Sequence, residues 1–362
     1  MKSHSLLRSL LSSPSRPSSL SNPLVVRPTS LNRQRSTAAT TPTRDTTRAP
    51  PPPPQRALLY VPGSNGKMLE KMVGGGTSSS ATATTLLAVP DVVTLDLEDS
   101  VRIEKKAEAR QLVARTLKSA PTGGRTKRFV RVNSGQRGLD DLEAILACPN
   151  LDGILLPKIN SASELVAFTN FIDEHAPTEM GTSPLKVVAS IESPLGLLNM
   201  REIVTASPRV GGLLFAAEDY CASSRLIRTP SRLEMLYARS SVVAVAHAYG
   251  LAAIDLVCVK YKGDDAERIL REESEEGRRL GFTGKQAIHP AQVPIIQEAF
   301  APSSVEIARA RAILEQYDLG ARDSGAGAYG LTGQDGTVEM IDAPMLLQAQ
   351  GILEAAKAAG LA

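Results

Sequence analysis

The chain has 362 residues, a formal net charge of +3, three cysteines, four histidines and no tryptophan. The positive excess lies entirely in residues 1–55, where eight basic residues face one acid, which leaves 33 basic against 37 acidic residues in the remainder. A weakly acidic body excludes nucleic-acid binding by bulk charge. No stretch approaches the roughly 20 apolar residues of a membrane span, and Cys148, Cys221 and Cys258 lack the spacing of a disulfide framework or zinc site.

The leader is acid-poor and rich in Arg, Ser and Pro. Leu6, Leu7, Leu10 and Leu11 alternate with Lys2 and Arg8, the pattern of an amphipathic organelle transit peptide, with the mitochondrion favoured over the chloroplast. Residues 1–55 are therefore expected to be a transit peptide and linker, the run Pro50–Pro54 serving as a stiff spacer.

From residue 56 short β-branched runs alternate with amphipathic stretches. Strands are predicted at Ala57–Val61, Val92–Leu97, Arg128–Val132, Gly153–Leu156, Val187–Ile191, Leu213–Ala217, Ala253–Val257 and Gln286–Ile288. Helices are predicted at Ile103–Leu117, Ser231–Tyr249, Asp264–Leu280 and Ser303–Tyr317, with a helical tail from Pro344 to Leu361. Eight βα units predict a (β/α)8 TIM barrel over 56–302, followed by a helical extension over 303–362 that acts as a lid. A doubly wound sheet is the rival; the count of eight, with a helix after the last strand, disfavours it. The stretches Gly74–Thr85 and Gly320–Gly336 break the rhythm and read as a loop and a hinge. Gly325, Gly327 and Gly330 match GxGxxG, but no strand precedes them, so a dinucleotide site fails its context.

In such a barrel the site lies at the C-terminal strand ends. Two acidic motifs stand there: Ile191-Glu192-Ser193 and Glu218-Asp219-Tyr220. Hard divalent cations prefer oxygen donors, and carboxylates on successive strands can share one ion. The alternative is that both acids are helix N-caps. The other strand ends carry Tyr60 to Ser64 with Lys67 beyond, Asp96, Glu98 and Asp99, Arg131 and Asn133, Lys158, and His289. A histidine-rich metal site is excluded by count.

These segments together resemble the citrate lyase β-subunit-like family of the HpcH/HpaI aldolase/citrate lyase superfamily, with its mitochondrial citramalyl-CoA lyase branch most similar. The resemblance runs from about residue 56 to 358 and rests on Leu59-Tyr60-Val61-Pro62-Gly63-Ser64, Leu95 to Val101, Val130-Arg131-Val132-Asn133, Leu156-Pro157-Lys158, Ser190-Ile191-Glu192-Ser193, Glu218-Asp219-Tyr220, Lys285 to Pro290 and Met340-Ile341-Asp342. It implies a Mg²⁺-dependent (or Mn²⁺-dependent) lyase that cleaves a 3-hydroxyacyl-CoA of the citramalyl, malyl or citryl type, with coenzyme A as part of the substrate and a homotrimer as the assembly. Glu192 and Asp219 match the metal ligands and, through the ion, the substrate site. Arg131 matches a catalytic, substrate-binding arginine, its alternative being a salt bridge to Glu98 or Asp99. Tyr60, Pro62 and Lys67 match positions near coenzyme A, although Lys67 could equally be a solvated helix lysine. Glu98 and Asp99 match paired acids that orient the site from behind, and Lys158 either neutralises charge or pairs with them. Asp342 matches a catalytic aspartate delivered from a neighbouring subunit, its alternative being the N-cap of the last helix, with Pro344 in the first turn. Rival functions are a malate synthase-like condensation of glyoxylate with acetyl-CoA, a noncatalytic metal-binding subunit of a larger lyase complex, and a thioester-free aldolase.

Overall fold

The computed structural model describes residues 55–73, 89–121, 125–176, 185–323, 329–332 and 338–361. The leader and the Gly74–Thr85 loop lie outside the described residues. Eight parallel strands close into a barrel in sequence order. The order is β1 (Ala57–Pro62), α1 (Gly66–Val73), β2 (Val92–Asp96), α2 (Lys106–Ser119), β3 (Lys127–Arg131), α3 (Gly135–Ile145), β4 (Gly153–Leu156), α4 (Ala162–His175), β5 (Lys186–Ile191), α5 (Pro194–Leu198) and α6 (Met200–Thr205). It continues with β6 (Val210–Phe215), α7 (Ala217–Ser224), α8 (Leu236–Ala248), β7 (Ala252–Asp255), α9 (Ala266–Leu280), β8 (Gly284–Ala287) and α10 (Gln292–Phe300). All eight predicted strands are present, and the fold is a (β/α)8 barrel.

Alternation along each strand sorts its side chains into two cores. Leu58, Val92, Phe129, Leu155, Val188, Leu214, Ala252 and Ile254 point inward and plug the barrel. The opposite parity, with Leu59, Val93, Leu95, Val130, Ile154 and Leu213, meets helix residues such as Leu69, Val113, Leu142 and Ile296 in the outer core. The inner rows continue past the plug toward the C-terminal ends. Tyr60 follows Leu58, Asp96 follows Val92, Arg131 follows Phe129, and Glu192 follows Val188. Parity therefore places polar groups at the mouth of the barrel and keeps apolar ones below them.

Most strand ends fall within two residues of the expectation, and β6 departs furthest. β6 starts at Val210 and ends at Phe215, earlier than predicted at both ends. Its start is hidden in sequence by Gly211-Gly212, yet a Cβ on Gly212 would lie 3.2 Å from the Ala252 carbonyl oxygen, so the strand needs a minimal residue there. The earlier end leaves Glu218 and Asp219 past the strand, as expected, and in the first turn of α7. Two predicted helices also open with a single 3-10 turn, at Ile103–Lys105 and Leu233–Met235.

The extension contains α11 (Ser304–Asp323), an antiparallel hairpin of β9 (Tyr329–Thr332) and β10 (Val338–Ile341), and α12 (Ala343–Ala358). The Gly320–Gly336 stretch is thus not the uninterrupted linker expected from its glycines: α11 runs into it and β9 lies within it. Ile341 buries with Ala310, Ile313 and Ala349 in a small core of its own between α11 and α12. An Arg278–Glu306 ion pair at 2.8 Å ties α11 to α9.

Outside the barrel wall, β7, β8, α8 and α9 enclose a buried ionic cluster. Arg239 grips Asp255 with two bonds at 3.1 and 2.7 Å and also meets Glu276. Lys285 donates to the Leu256 carbonyl at 2.8 Å and pairs with Glu273 at 3.2 Å. Arg239, Asp255 and Lys285 have no solvent exposure, so removing one partner strands a charge. Asp255→Ala is expected to cost about 3–5 kcal/mol in urea unfolding, and Arg239→Met/Asp255→Leu less than that single change. A loss below about 1 kcal/mol for Asp255→Ala would mean the cluster does not clamp the wall.

Candidate active site

The register of β2 and β3 sets Asp96 directly opposite Arg131. The Arg131 guanidinium donates from Nε and Nη2 to the two Asp96 oxygens, both at 2.7 Å, and its Nη1 lies 3.1 Å from Glu98. Such a fork fixes the planar group in two directions at once. The Tyr60 ring packs under the guanidinium at 4.7 Å, and the Tyr60 hydroxyl donates to Gln286 Oε1 at 3.1 Å. Gln286 in turn donates to the carbonyls of Phe215 and Asp255. Burial alone would raise the Asp96 carboxyl, but the Arg131 hydrogen bonds override it and hold that group below its ordinary range. The expected partner of Arg131 was Glu98 or Asp99; Glu98 does pair with it, but Asp96 is the principal one.

The turn after β2 is held from two sides. Gly63 donates its N–H to the Asp96 carbonyl at 2.7 Å, and a Cβ there would come within 2.6 Å of that oxygen, so the β1 end can approach only as glycine. Lys106, at the start of α2, donates to the carbonyls of Leu97 and Glu98 and to Asn133 Oδ1 at 2.6–2.7 Å. Asn133 is itself anchored by Asp141. Sequence reasoning missed Lys106 and assigned Asp96 no role. The inward parity of Val92, Thr94 and Asp96 is the signal that could have found Asp96.

Lys158 follows β4. Its ammonium lies 2.7 Å from Glu98 and 3.5 Å from Asp99, and its backbone N–H donates to Glu192 Oε1 at 3.0 Å. Burial works against the ammonium, but Glu98 outweighs it and raises the Lys158 pKa, so the group stays charged. Burial also raises Glu98, against the pull of Arg131 and Lys158.

Glu192 is buried just past β5, and burial pushes its carboxyl up to about 7, helped by the nearby charges of Asp219 and Glu98. The N-cap of α5 is Ser193, whose hydroxyl accepts the Gly196 N–H, and the N-cap of α7 is Ala216. Neither Glu192 nor Asp219 is therefore a helix cap. Glu218 is exposed and pairs with Arg228. Among the described residues, no ion pair involves Glu192 or Asp219, and no group of three or more His, Cys, Asp or Glu side chains forms a complete metal cage. Two carboxylates without a cation are a suitable donor set for a small hard ion, which keeps its remaining positions for water and substrate.

The other predicted residues are dispersed. Pro62 is half-buried at the end of β1, and Lys67 is exposed in the first turn of α1. Asp342 caps α12, its Oδ1 accepting the Met345 N–H at 3.2 Å, and no described interaction joins it to the mouth. His289 accepts the Ala291 N–H in the turn after β8, and Cys221 is a buried free thiol. If the Asp96–Arg131 fork anchors the mouth, Asp96→Asn should lower stability by about 2–3 kcal/mol in urea unfolding, because Arg131 keeps a buried charge with a weaker partner. Unchanged stability would remove that role.

The HpcH/HpaI aldolase/citrate lyase family matches residues 56–290. The human protein named citramalyl-CoA lyase, mitochondrial, is 36% identical over 271 residues, covering 72% of this chain and 77% of its own. Citrate lyase subunit beta of Haemophilus influenzae is 35% identical over 273 residues, covering 74% and 89%. The structure of CitE from Mycobacterium tuberculosis in complex with magnesium, acetoacetate and coenzyme A aligns with a TM-score of 0.63 at 27% identity, over 85% of this chain and 98% of that one. The chain belongs to the HpcH/HpaI aldolase/citrate lyase family.

Proposed function

We propose that this protein is a Mg²⁺-dependent carbon–carbon lyase that splits a short 3-hydroxyacyl-CoA, of the citramalyl, malyl or citryl type, into acetyl-CoA and a 2-oxo acid. One observation carries the reading: among the described residues Glu192 and Asp219 form no ion pair, while the neighbouring Arg131 and Lys158 are engaged by Asp96, Glu98 and Asp99. The names of the human and Mycobacterium tuberculosis relatives, with the magnesium and coenzyme A of the latter, support the same chemistry.

Glu192 and Asp219 would hold the Mg²⁺, which would supply Lewis-acid polarisation of a substrate oxygen. The hydroxyl proton leaves to a base, the bond between the hydroxyl-bearing carbon and the thioester α-carbon breaks, and its electron pair passes to the thioester as an enolate. Protonation of the α-carbon then gives acetyl-CoA. Arg131 stays protonated throughout, since Asp96 and Glu98 favour its charge, and its fixed guanidinium meets the enolate charge without reorganising. The Tyr60 ring supports that guanidinium from one face, and Tyr60, Pro62 and Lys67 flank the approach of coenzyme A, where an ammonium can meet phosphate. Asp342 is the proposed proton carrier, contributed by a neighbouring copy in a homotrimer; its cap uses Oδ1, which leaves Oδ2 available. The basic leader and the mitochondrial names of the mammalian relatives support import into mitochondria.

Incubation with a panel of acyl-CoA esters, followed by mass spectrometry, tests the reaction directly. Citramalyl-, malyl- or citryl-CoA should yield acetyl-CoA with Mg²⁺ present and not after chelation. Glu192→Gln and Asp219→Asn should each lower kcat/KM by about 10²-fold or more, the scale of losing electrostatic stabilisation. Full turnover in chelated protein would reject the metal-dependent reading. Asp342→Asn is expected to cut kcat severely with little change in Mg²⁺ affinity, whereas an unimpaired variant would leave Asp342 as a cap only. A fluorescent fusion of residues 1–55 should accumulate in mitochondria, and uniform cytosolic fluorescence would refute import.

A further inference from the structure

Lys158 has a backbone conformation that its residue type disfavours. Its φ is +56°, in the left-handed region, where a Cβ crowds the following carbonyl and glycine is the usual occupant. A non-glycine residue persists there only when its surroundings hold it, and such residues cluster at functional sites.

The surroundings of Lys158 are specific. The left-handed turn aims its N–H at Glu192 Oε1 at 3.0 Å. Its carbonyl accepts the Asn160 side-chain N–H at 3.1 Å, and the Asn160 carbonyl accepts the Asn199 side-chain N–H at 2.8 Å. Ile159 donates its N–H to the Ser190 carbonyl at 3.3 Å. The loop after β4 is therefore fastened to the end of β5 through its backbone. Glycine would satisfy every one of these bonds with less strain, so they do not explain a lysine. The ammonium does: it reaches back across the mouth to Glu98 at 2.7 Å, and Glu98 is the second carboxylate on Arg131.

We propose that Lys158 is a positioning residue of this site with two separable parts: its left-handed amide holds Glu192, and its ammonium holds Glu98 where Glu98 steadies Arg131. The inference rests on the lyase reading for its activity arm only. The side chain is 38% exposed, so it can adjust as substrate charge enters. A lysine at this backbone position links Glu192, through its amide, to Glu98, the second carboxylate on Arg131, through its ammonium.

Three variants separate the parts: Lys158→Gly keeps the amide and suits the backbone, Lys158→Met keeps the amide and most of the stem, and Lys158→Arg keeps the cation. Calorimetric titration with Mn²⁺, thermal melting and steady-state kinetics are measured on each full-length variant. Lys158→Gly should melt at or above the wild type. Both neutral variants should bind Mn²⁺ within about threefold of wild type or more tightly, because the amide remains and a nearby positive charge is gone. Their kcat should fall by about 10–100-fold, the usual cost of losing a group that orients a first ligand, with KM changed far less. Lys158→Arg should recover a substantial part of kcat. A kcat within about twofold of wild type in Lys158→Met would overturn the positioning role, as would loss of Mn²⁺ binding in Lys158→Gly. If the wild type turns over no acyl-CoA ester, the lyase reading fails by itself. The Mn²⁺ and melting arms still decide whether the backbone suffices at this position without the ammonium, with retained binding and melting in Lys158→Gly supporting the separation of amide from ammonium and lost binding overturning it.

Discussion

The paired hydrogen bonds between Arg131 and Asp96 are the constraint on which the mouth of this barrel depends. They exist because β2 and β3 pair in a register that puts the two residues side by side, both on the inward parity of their strands. A guanidinium in this position cannot shed its charge, and without a carboxylate it would carry a large desolvation cost. Asp96 offsets that cost with both oxygens and thereby fixes the plane in which Arg131 presents its remaining N–H groups. Tyr60 below, Glu98 beside, and the Lys106–Asn133 pair behind Glu98 are successive supports of that one orientation.

A second feature follows from charge. Asp96, Glu98, Asp99, Glu192 and Asp219 outnumber the cations Arg131, Lys158 and Lys106 that reach them. The imbalance is not spread evenly. Asp96 and Glu98 are paired with cations, whereas Glu192, with no ion pair among the described residues, is pushed up to about 7 by burial. A protein that concentrates uncompensated carboxylate at one end of a barrel destabilises itself there unless a cation arrives. On the proposed reading this end would suit a divalent ion and the guanidinium opposite an anion, the polarity that carbon–carbon cleavage next to a thioester requires.

Much of this was legible in the chain, for physical reasons. Most of the barrel strands announce themselves as β-branched or apolar runs bounded by turn chemistry, and the eight-fold alternation then identifies the barrel even though β8 is the polar Gly284-Lys285-Gln286-Ala287. Glu192, Asp219 and Arg131 could be placed at the mouth from the strand ends alone. Other features were hidden. The glycines at 211 and 212 masked the start of β6. The short strands of the hairpin were lost in a glycine-rich stretch because a four-residue strand carries too little pattern to be seen there. Asp96 was visible as a charge but its role was not, since a strand's partner and register are tertiary facts. The left-handed backbone of Lys158 was invisible, because lysine gives no local sign of it, whereas the cap formed by Asp342 was legible through Pro344.

The most direct measurement of the central claim is a crystal structure of the protein grown with Mn²⁺ and a 2-oxo acid, with the metal located by anomalous scattering. The account expects one peak at the barrel mouth about 2 Å from carboxylate oxygens of both Glu192 and Asp219, with the oxo acid between the ion and Arg131. A peak elsewhere, or a mouth in which Glu192 and Asp219 bind no ion at saturating Mn²⁺, would contradict it.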